Sequence, residues 1–291
     1  MSMLQLSNGR LRCAIAARGA ELRSLQDIMV GDEYIWQRDP GVWEDSAPIL
    51  FPYVGRLRGG GYLHEGRRYR LPIHGFARHG VFVVEESLAH SATLVLRESH
   101  ETLDCYPFRF VLRVRFSLDA HCLHVCYRVH NPGQADLPFA LGSHPGFRLP
   151  PPRSGGWTLA FSDQEEPLCY RLDGALLARE PEALPLDGGR RIALTPDLFE
   201  RDALIFKHIR SRHVRLQERN GRVRLSVDTG GAPSLGLWAR PGADYVCIEP
   251  WHGYDDDAGT SEELVRKPGV VLLAPGETFQ TAYAVCVPPT P

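Results

Sequence analysis

The sequence predicts an all-β protein, a large antiparallel sandwich or barrel with very little helix. Short apolar or alternating segments recur at roughly 8–12-residue spacing, separated by Gly, Pro and polar turns, which is typical of such folds. Helical periodicity is rare, and its best candidate, residues 261–265, is at most a short turn before Pro268-Gly269. The 291 residues contain no internal repeat and no low-complexity linker. We therefore expect one continuous domain over residues 1–291.

Two hairpins are the first elements that the sequence predicts. Residues 4–6 and 11–15 flank Asn8-Gly9, the dipeptide preferred in a type I′ turn because both positions tolerate positive φ. Residues 62–64 and 69–71 flank Glu65-Gly66 in the same way. Each pair is expected to form an antiparallel ribbon.

The remaining predicted strands follow along the rest of the chain, each bounded by polar or Pro-containing turns. They cover residues 81–84, 92–97, 108–118, 122–129, 157–161, 214–217, 223–227, 235–238, 245–248 and 279–287. The Pro-rich and Gly-rich stretch over residues 150–156 is interpreted as a loop and not as a domain boundary.

Composition excludes several classes of function. There are 33 Lys and Arg against 35 Asp and Glu, a net charge of -2, whereas nucleic-acid binding usually shows as a basic face. No segment approaches the ~20 apolar residues of a membrane-spanning helix, and the N-terminus lacks a signal-peptide core. Seven cysteines without a CxxC pair favour a reducing compartment over a disulfide framework. We expect a cytoplasmic protein with neither nucleic-acid nor membrane partners.

Two segments resemble metal sites and are interpreted otherwise. Cys122, His124 and Cys126 alternate along a predicted strand, so successive side chains on their shared face lie ~6.6 Å apart. Zinc needs ligands ~2.0–2.3 Å from one centre, which a single strand cannot supply. The run Asp255-Asp256-Asp257 lacks the spaced pattern of a calcium loop. It is predicted to be a solvated loop at the rim of the functional site that the next paragraphs describe. No metal is expected.

Glu249 is the most informative residue, because a carboxylate follows the apolar predicted strand 245–248. Pro250 has no backbone N–H, so the strand is expected to end there and to place Glu249 at a sheet rim. An ionised carboxylate is costly to bury alone. Glu249 is therefore either paired structurally or used in chemistry.

His74 and His144 have a similar setting, since each lies beside Pro or Gly just after an apolar segment. Either histidine alone is more often a structural loop residue than a catalyst. Strand ends on one side of a sheet could bring both histidines and Glu249 into one cleft. A histidine and a glutamate there would form an acid–base pair.

Four motifs in this order resemble the aldose 1-epimerases, or galactose mutarotases, in particular their bacterial mutarotase-like branch. The motifs span residues 51–58, 74–78, 143–147 and 247–251. The resemblance implies a β-supersandwich with a sugar-binding cleft and no cofactor. It also implies roles for individual residues: Glu249 as general base, His144 as general acid, Arg56 and His74 in binding and polarising the sugar, and Asp202 on sugar hydroxyls.

The implied reaction interconverts the α and β anomers of a hexose. Glu249 takes the proton of the C1 hydroxyl while His144 protonates the ring oxygen, and ring closure on the other face reverses both transfers. The reaction requires a protonated His144, which a neighbouring carboxylate favours, and an ionised Glu249, which Arg56 could assist.

Gly146 and Arg148 depart from the family pattern, which commonly has an aromatic residue and an asparagine at these positions. The natural sugar therefore stays open, and so do a non-catalytic sugar-binding or sensing protein and a mutarotase for phosphorylated or acidic sugars. Arg148 would suit an anionic substituent but is more simply a surface charge. Trp36, Trp43 and Trp251 are either sugar-stacking or core residues. A monomer and a homodimer are both compatible with the sequence.

Overall fold

The computed structural model describes residues 3–153 and 155–289, and most of them lie in strands or turns. The strands are, in chain order, β1 (Met3–Ser7), β2 (Leu11–Ala16), β3 (Glu21–Asp27), β4 (Asp32–Glu33), β5 (Ile49–Leu50), β6 (Gly61–His64), β7 (Arg67–Arg70), β8 (Val83–Ser87), β9 (Ser91–Arg97), β10 (Val111–Asp119), β11 (Cys122–His130), β12 (Leu137–Phe139), β13 (Leu141–Ser143), β14 (Gly146–Arg148), β15 (Trp157–Phe161), β16 (Leu168–Cys169), β17 (Leu172–Asp173), β18 (Leu176–Leu177), β19 (Glu182–Ala183), β20 (Arg191–Ala193), β21 (Leu204–Phe206), β22 (His213–Glu218), β23 (Val223–Asp228), β24 (Ser234–Trp238), β25 (Tyr245–His252), β26 (Val271–Leu273) and β27 (Thr278–Cys286).

The helices are few and short. They are one α-helix, α1 (His100–Cys105), and three 3-10 turns over Arg58–Gly60, Ala77–His79 and Leu264–Arg266. In the part of the chain described, no helix has the length and apolar character needed to cross a bilayer. The predicted all-β fold class is confirmed.

Two antiparallel sheets dominate the architecture. A nine-stranded sheet has the order β20-β15-β22-β23-β27-β11-β10-β9-β8. A six-stranded sheet has the order β21-β24-β25-β13-β5, and β14 also pairs with β25. A four-stranded sheet, β1 to β4, and four two-stranded ribbons complete the set among the described strands.

Both predicted hairpins are confirmed. Strand β1 pairs with β2 around the Asn8-Gly9 turn, and β6 pairs with β7 around Glu65-Gly66. Glu65 and Gly66 have φ values of 49° and 73°, the left-handed conformation that a type I′ turn requires at both central positions. At Asn8-Gly9 only Gly9 has a positive φ, 89°, so the type I′ turn predicted there is wrong although the hairpin forms.

The core lies between the two large sheets. On β11 the apolar residues Leu123, Val125 and Tyr127 are buried. They alternate with Cys122, His124 and Cys126, which are more exposed and share the other face of the strand. The hydroxyls of Tyr127 and Ser143 are 2.8 Å apart and link β11 to β13 across the gap. The six-stranded sheet thus turns one face to the core and leaves its other face for a site.

The prediction that Pro250 ends its strand is wrong. Strand β25 continues through Glu249 and Pro250 to His252, and Pro250 pairs with Leu235 of β24. On the other side, β14 pairs with residues 245–247 and β13 with residues 251–252, so Pro250 lies opposite the break between those strands. No ladder bond is lost there, because no strand on that side requires a donor.

The cysteine prediction is also corrected. Cys122 and Cys286 lie directly opposite one another on β11 and β27 and form a disulfide. The other five cysteines are free. The odd cysteine count did not reveal this pair, because the two residues are 164 positions apart in sequence.

Helix α1 was not predicted from the sequence. Ser99 caps it, since its hydroxyl accepts from the Thr102 N–H while the Thr102 hydroxyl accepts from the Ser99 N–H. Six residues are too few to show helical periodicity, so the capping pair was the available signal.

Candidate active site

The candidate site lies on the face of the six-stranded sheet that is turned away from the nine-stranded sheet. Alternate residues of a strand share a face, which places Cys247, Glu249 and Trp251 of β25 together on this side. Their cross-strand partners include Gly236, opposite Glu249, and Gly142, opposite Trp251. Glu249 therefore projects from the middle of a sheet and not from its rim.

Glycines on this face give the indole of Trp251 room to lie on the sheet. A Cβ at Gly142 would come within 2.6 Å of the Trp251 ring, and one at Gly236 within 2.5 Å. Neither glycine has a positive φ, so backbone conformation does not explain them. We call Gly142, Gly236 and the overlying Trp251 the indole floor.

His144 follows β13 and meets Glu249 across this floor. Nε2 of His144 is 3.3 Å from Oε2 of Glu249, with side-chain exposures of 11% and 1%. Nδ1 of His144 and Oε2 of Glu249 are buried and have no hydrogen-bond partner within the described structure. Each of the two ionisable groups thus has one buried polar atom without a hydrogen bond, which is unusual for buried polar atoms.

The reaction requires a protonated His144 and an ionised Glu249, and burial disfavours both of these charge states. Burial lowers the pKa of His144 to about 3. Burial raises the pKa of Glu249 well above its usual value, and the charges of Asp255 and Asp202 add to that effect. Arg56, which was expected to assist the ionisation of Glu249, instead pairs with Asp202 and Asp255, each at 3.4 Å.

The pair can share one exchangeable proton in two ways. Neutral imidazole beside a protonated carboxyl and imidazolium beside a carboxylate differ only by a transfer across the 3.3 Å contact. Burial favours the uncharged arrangement, because desolvation penalises charge. A polar ligand in the site would reduce that penalty.

His74 presents a fixed hydrogen-bond donor beside the pair. Its Nδ1 accepts from the backbone N–H of Gly55 at 3.1 Å, so the proton of its neutral ring is on Nε2. Burial lowers the pKa of His74 well below its usual value, and the neighbouring His144 acts in the same direction. The two imidazole rings are 5.6 Å apart, and His74 has a strained φ of 65°.

Arg56 and Asp202 form the polar side of the site. The guanidinium of Arg56 lies 3.4 Å from Asp202 and 3.4 Å from Asp255, whose carboxylate also accepts from the Arg56 N–H at 2.9 Å. Burial raises the pKa of Asp255 to about 6, against the opposing charge of Arg56. Asp202 also has a positive φ, 65°. All five residues singled out in the sequence therefore lie in one connected region.

The prediction of a solvated loop at Asp255-Asp256-Asp257 is wrong for the first two residues. Asp255 and Asp256 are 4% and 1% exposed. Asp256 contacts Lys267 at 2.5 Å and accepts from the Tyr53 hydroxyl at 2.7 Å. These partners come from distant segments, so the sequence run of acids gave no sign of them.

Sequence reasoning missed Trp238 and Cys247. The Trp238 ring lies 5.6 Å from that of His144, and the Trp43 ring lies 5.2 Å from it. Cys247 is fully buried and lies beside the acid–base pair. The alternation of Cys247 with Glu249 on the strand was the available signal for the thiol.

One group of residues within the described ranges could hold a metal ion. Ligand atoms of His144, Cys247 and Glu249 all lie within 4.8 Å of one another. A metal would bind the atoms that acid–base chemistry needs, so the two uses of this group exclude each other.

The fold and site together define a class of protein: an antiparallel β-sandwich that presents a buried histidine–glutamate pair on one sheet. The solved structures that this chain resembles have the galactose mutarotase-like fold. A galactose mutarotase related enzyme from Lactobacillus acidophilus has a TM-score of 0.93 and 32% identity, covering 99% of this chain and 98% of that one. A galactose mutarotase-like protein from Lactobacillus casei has a TM-score of 0.92 and 29% identity, covering 99% and 100%.

Residues 2–285 match the family described as Aldose 1-epimerase, and the chain belongs to that family. Protein LacX, chromosomal, from Lactococcus lactis is 30% identical over 297 residues, which cover 98% of this chain and 99% of the relative. The resemblance found in the sequence motifs is thus confirmed at the level of family and fold.

Proposed function

We propose that this protein is a cofactor-independent aldose 1-epimerase, which interconverts the α and β anomers of a hexose. The observation that carries the proposal is the buried 3.3 Å contact between His144 Nε2 and Glu249 Oε2, in which His144 Nδ1 and Glu249 Oε2 have no hydrogen-bond partner in the described structure. Binding alone requires no such matched acid and base. Family membership and the galactose mutarotase-like fold support the same conclusion.

The chemistry uses the single proton that the pair holds. With His144 protonated and Glu249 ionised, Glu249 takes the proton of the C1 hydroxyl and His144 protonates the ring oxygen. The C1–O5 bond breaks, leaving an open-chain aldehyde beside a neutral histidine and a protonated carboxyl. This is the arrangement that burial favours.

Rotation about the C1–C2 bond then exposes the other face of the aldehyde. On ring closure Glu249 returns a proton to the carbonyl oxygen while His144 accepts the proton of the C5 hydroxyl. Each group acts once as acid and once as base, and the enzyme ends with the proton count it began with. Tolerance of both arrangements is therefore the useful property of the pair.

The neighbouring residues position the sugar. His74 donates from Nε2, and Arg56 and Asp202 offer a donor and an acceptor to hydroxyl groups. Asp202 is the more exposed of the two ion-paired side chains, at 39% against 30% for Arg56, so both remain open to a ligand. Their contribution is to binding and orientation, whereas the proton transfers belong to His144 and Glu249.

The test is polarimetry with freshly dissolved α-D-glucose, α-D-galactose and a panel of other aldoses. The purified protein should accelerate mutarotation beyond buffer, and Glu249→Gln and His144→Gln should each remove most of that acceleration. Glu101→Gln, a change at an exposed carboxylate, serves as the matched control. No acceleration with any sugar of the panel would overturn the proposal.

The alternative from another class is a sugar-binding or sensing protein without turnover. It predicts saturable binding of a monosaccharide by calorimetry together with an unchanged mutarotation rate. Full activity in Glu249→Gln would contradict the proposed acid–base mechanism, whereas membership of the family would still hold.

A second candidate substrate class, sugars with a phosphate or carboxylate, is favoured by one observation. The Arg148 side chain is exposed, and no hydrogen bond or ion pair to it is found within the described ranges. It lies on β14 two residues beyond Gly146, on the same face of the sheet. Loss of turnover on a sugar phosphate in Arg148→Ala, with neutral sugars unaffected, would select this class.

A further inference from the structure

We propose that Trp43 is the residue on which the sugar ring stacks, and that Trp238 supports it from the neighbouring strand. This inference rests on the proposed function, since it names a binding residue for the same reaction. It goes further because it selects one of the three tryptophans that the sequence left open as sugar-stacking or core residues, and it ties the effect of that residue to hexopyranoses with a continuous apolar face of C–H groups.

The position of Trp43 is the first argument. Its ring lies 5.2 Å from the His144 ring, and the Trp238 ring lies 5.6 Å from His144 and 5.5 Å from Trp43. His74, with its donor, lies on another side of His144 at 5.6 Å. The acid–base pair is thus bordered by polar groups and by indoles, as the polar edge and apolar face of a pyranose require.

The second argument is the space that Gly146 leaves for this ring. A Cβ at Gly146 would come within 2.6 Å of Cζ3 of Trp43, although the φ of Gly146 is not positive. Conformational freedom therefore does not explain the glycine. The absence of a side chain at Gly146 leaves the space in which an indole from a distant loop lies against β14 next to His144.

The third argument is that the indole is held in place. The backbone on which the indole is mounted is fixed, because the backbone N–H of Trp43 donates to the Asp39 carbonyl at 2.7 Å and the backbone N–H of Asp39 donates to the Trp43 carbonyl at 3.1 Å. The Trp36 indole N–H donates to the same Trp43 carbonyl at 2.9 Å. Tyr245 stacks on the Trp43 ring at 5.2 Å. A preorganised ring loses little freedom when a ligand binds.

The fourth argument is that both indoles keep free surface and free donors. Trp43 and Trp238 are partly exposed, unlike Trp251 of the indole floor. Neither of their indole N–H groups has a hydrogen-bond partner or is buried among the residues that the structure describes. An aromatic face carries negative charge density that attracts C–H hydrogens, and the edge N–H can donate to a hydroxyl.

The ligand class follows from this geometry. A galactopyranose presents the hydrogens of C3, C4 and C5 on one face, a patch about the size of one aromatic ring. An anionic substituent gains nothing from a neutral indole. We therefore expect D-galactose to depend on Trp43 more strongly than a sugar without such a continuous patch.

The experiment measures binding and turnover in Trp43→Ala and Trp43→Phe, with D-galactose at anomeric equilibrium as the ligand. In Trp43→Ala the KM should rise about 5- to 10-fold and kcat should change less, whereas Trp43→Phe should retain most of the affinity. Galactose should perturb the tryptophan fluorescence of the wild type, and Trp43→Phe should lose most of that change, the remainder coming from Trp238. Trp157→Phe, a change away from the site, is the matched control and should keep the signal.

A compensating pair distinguishes stacking from general disruption. Gly146→Phe alone should abolish binding, because the new ring meets Trp43. Combined with Trp43→Ala, Gly146→Phe should recover at least half of the lost affinity. Wild-type KM in Trp43→Ala, with Glu249→Gln inactive, would overturn this inference and leave the proposed function standing. A wild-type protein that neither binds nor converts any sugar would overturn both.

Discussion

Two buried pairs of oppositely ionisable side chains among the described residues, His144 with Glu249 and Lys267 with Asp256, differ in how they are hydrogen-bonded. Asp256 receives Lys267 at 2.5 Å, the Tyr53 hydroxyl at 2.7 Å and the Arg58 N–H at 2.8 Å. Lys267 also donates to the Ser261 carbonyl at 2.8 Å. Glu249 and His144 have one contact at 3.3 Å and two buried atoms without partners.

The difference separates a structural ion pair from a chemical one. A buried charge that is surrounded by donors is held in one protonation state, because every alternative loses hydrogen bonds. A buried pair without such support is not locked into one protonation state by hydrogen bonds, so a polar ligand that offsets the desolvation of charge can shift its proton. The pair that we propose to be catalytic therefore differs from the structural pair in having fewer hydrogen bonds.

The largest expected effect comes from removing the base. Glu249→Gln should lower the rate of mutarotation by ~10²–10⁴-fold, the usual contribution of a positioned proton transfer. Its stability should change little, because the amide of the glutamine is uncharged and can still accept a hydrogen bond from the Trp251 indole N–H beside it. Polarimetry and urea unfolding check the two parts. A variant that unfolds easily would place Glu249 in the structural category.

Breaking the structural pair should act on stability instead. Lys267→Met leaves Asp256 buried without its cation and should lower the free energy of unfolding by ~3–5 kcal/mol. Removing both charges in Lys267→Met with Asp256→Leu should cost less than the single change. Urea midpoints measure both, and the two variants would show equal midpoints if the charge had no role.

The pH dependence of stability offers a third distinction. Burial lowers the pKa of His144 from 6.5 to about 3, so the unfolded chain takes up the proton first as the pH falls. The stabilising contribution of His144 is then lost between pH 6.5 and about 3, at up to ~1.4 kcal/mol per pH unit.

The measurement compares wild type with His144→Gln, which cannot take up that proton. The difference in unfolding free energy between the two proteins should change in favour of the variant as the pH falls through this window. Parallel curves would show that His144 titrates normally. For Glu249 the sign is opposite, because its raised pKa makes the native state lose stability as the pH rises above 4.5.

The smallest expected effect belongs to a residue outside either pair. His74→Ala removes the Nε2 donor and should raise KM by about tenfold, or ~1.4 kcal/mol, as for one lost hydrogen bond. The kcat should fall far less than in Glu249→Gln. Steady-state polarimetry separates these constants, and an equal loss of kcat in both variants would make His74 a partner in the proton transfers.

Much of the fold could be predicted from local patterns. The turn dipeptides predicted both hairpins, and alternation predicted β10, β11 and β15 within a few residues. Short strands such as β13 and β14 escaped, because three residues carry no periodicity. Their pairing depends on β25, which lies about a hundred residues further along the chain.

The candidate site, like the fold, could be predicted only in part. The ordered motifs pointed to Arg56, His74, His144, Asp202 and Glu249, which lie in one region. Their electrostatics could not be predicted, since burial sets the pKa values and depends on the whole fold. The continuation of the strand through Pro250 could not be predicted, because it depends on the break between β13 and β14. The burial of Asp256 could not be predicted either, because its partners Tyr53 and Lys267 are far away in sequence.

The indole floor has a consequence for how this protein can change over evolutionary time. Trp251 rests on glycines from two neighbouring strands, and a methyl group on either would come within 2.6 Å of its ring. Glu249 is two residues before Trp251 on the same face, so a displaced indole would carry the base with it. Positions 142, 236 and 251 are therefore expected to be inherited together, with a smaller residue at 251 wherever a relative has lost one of the glycines.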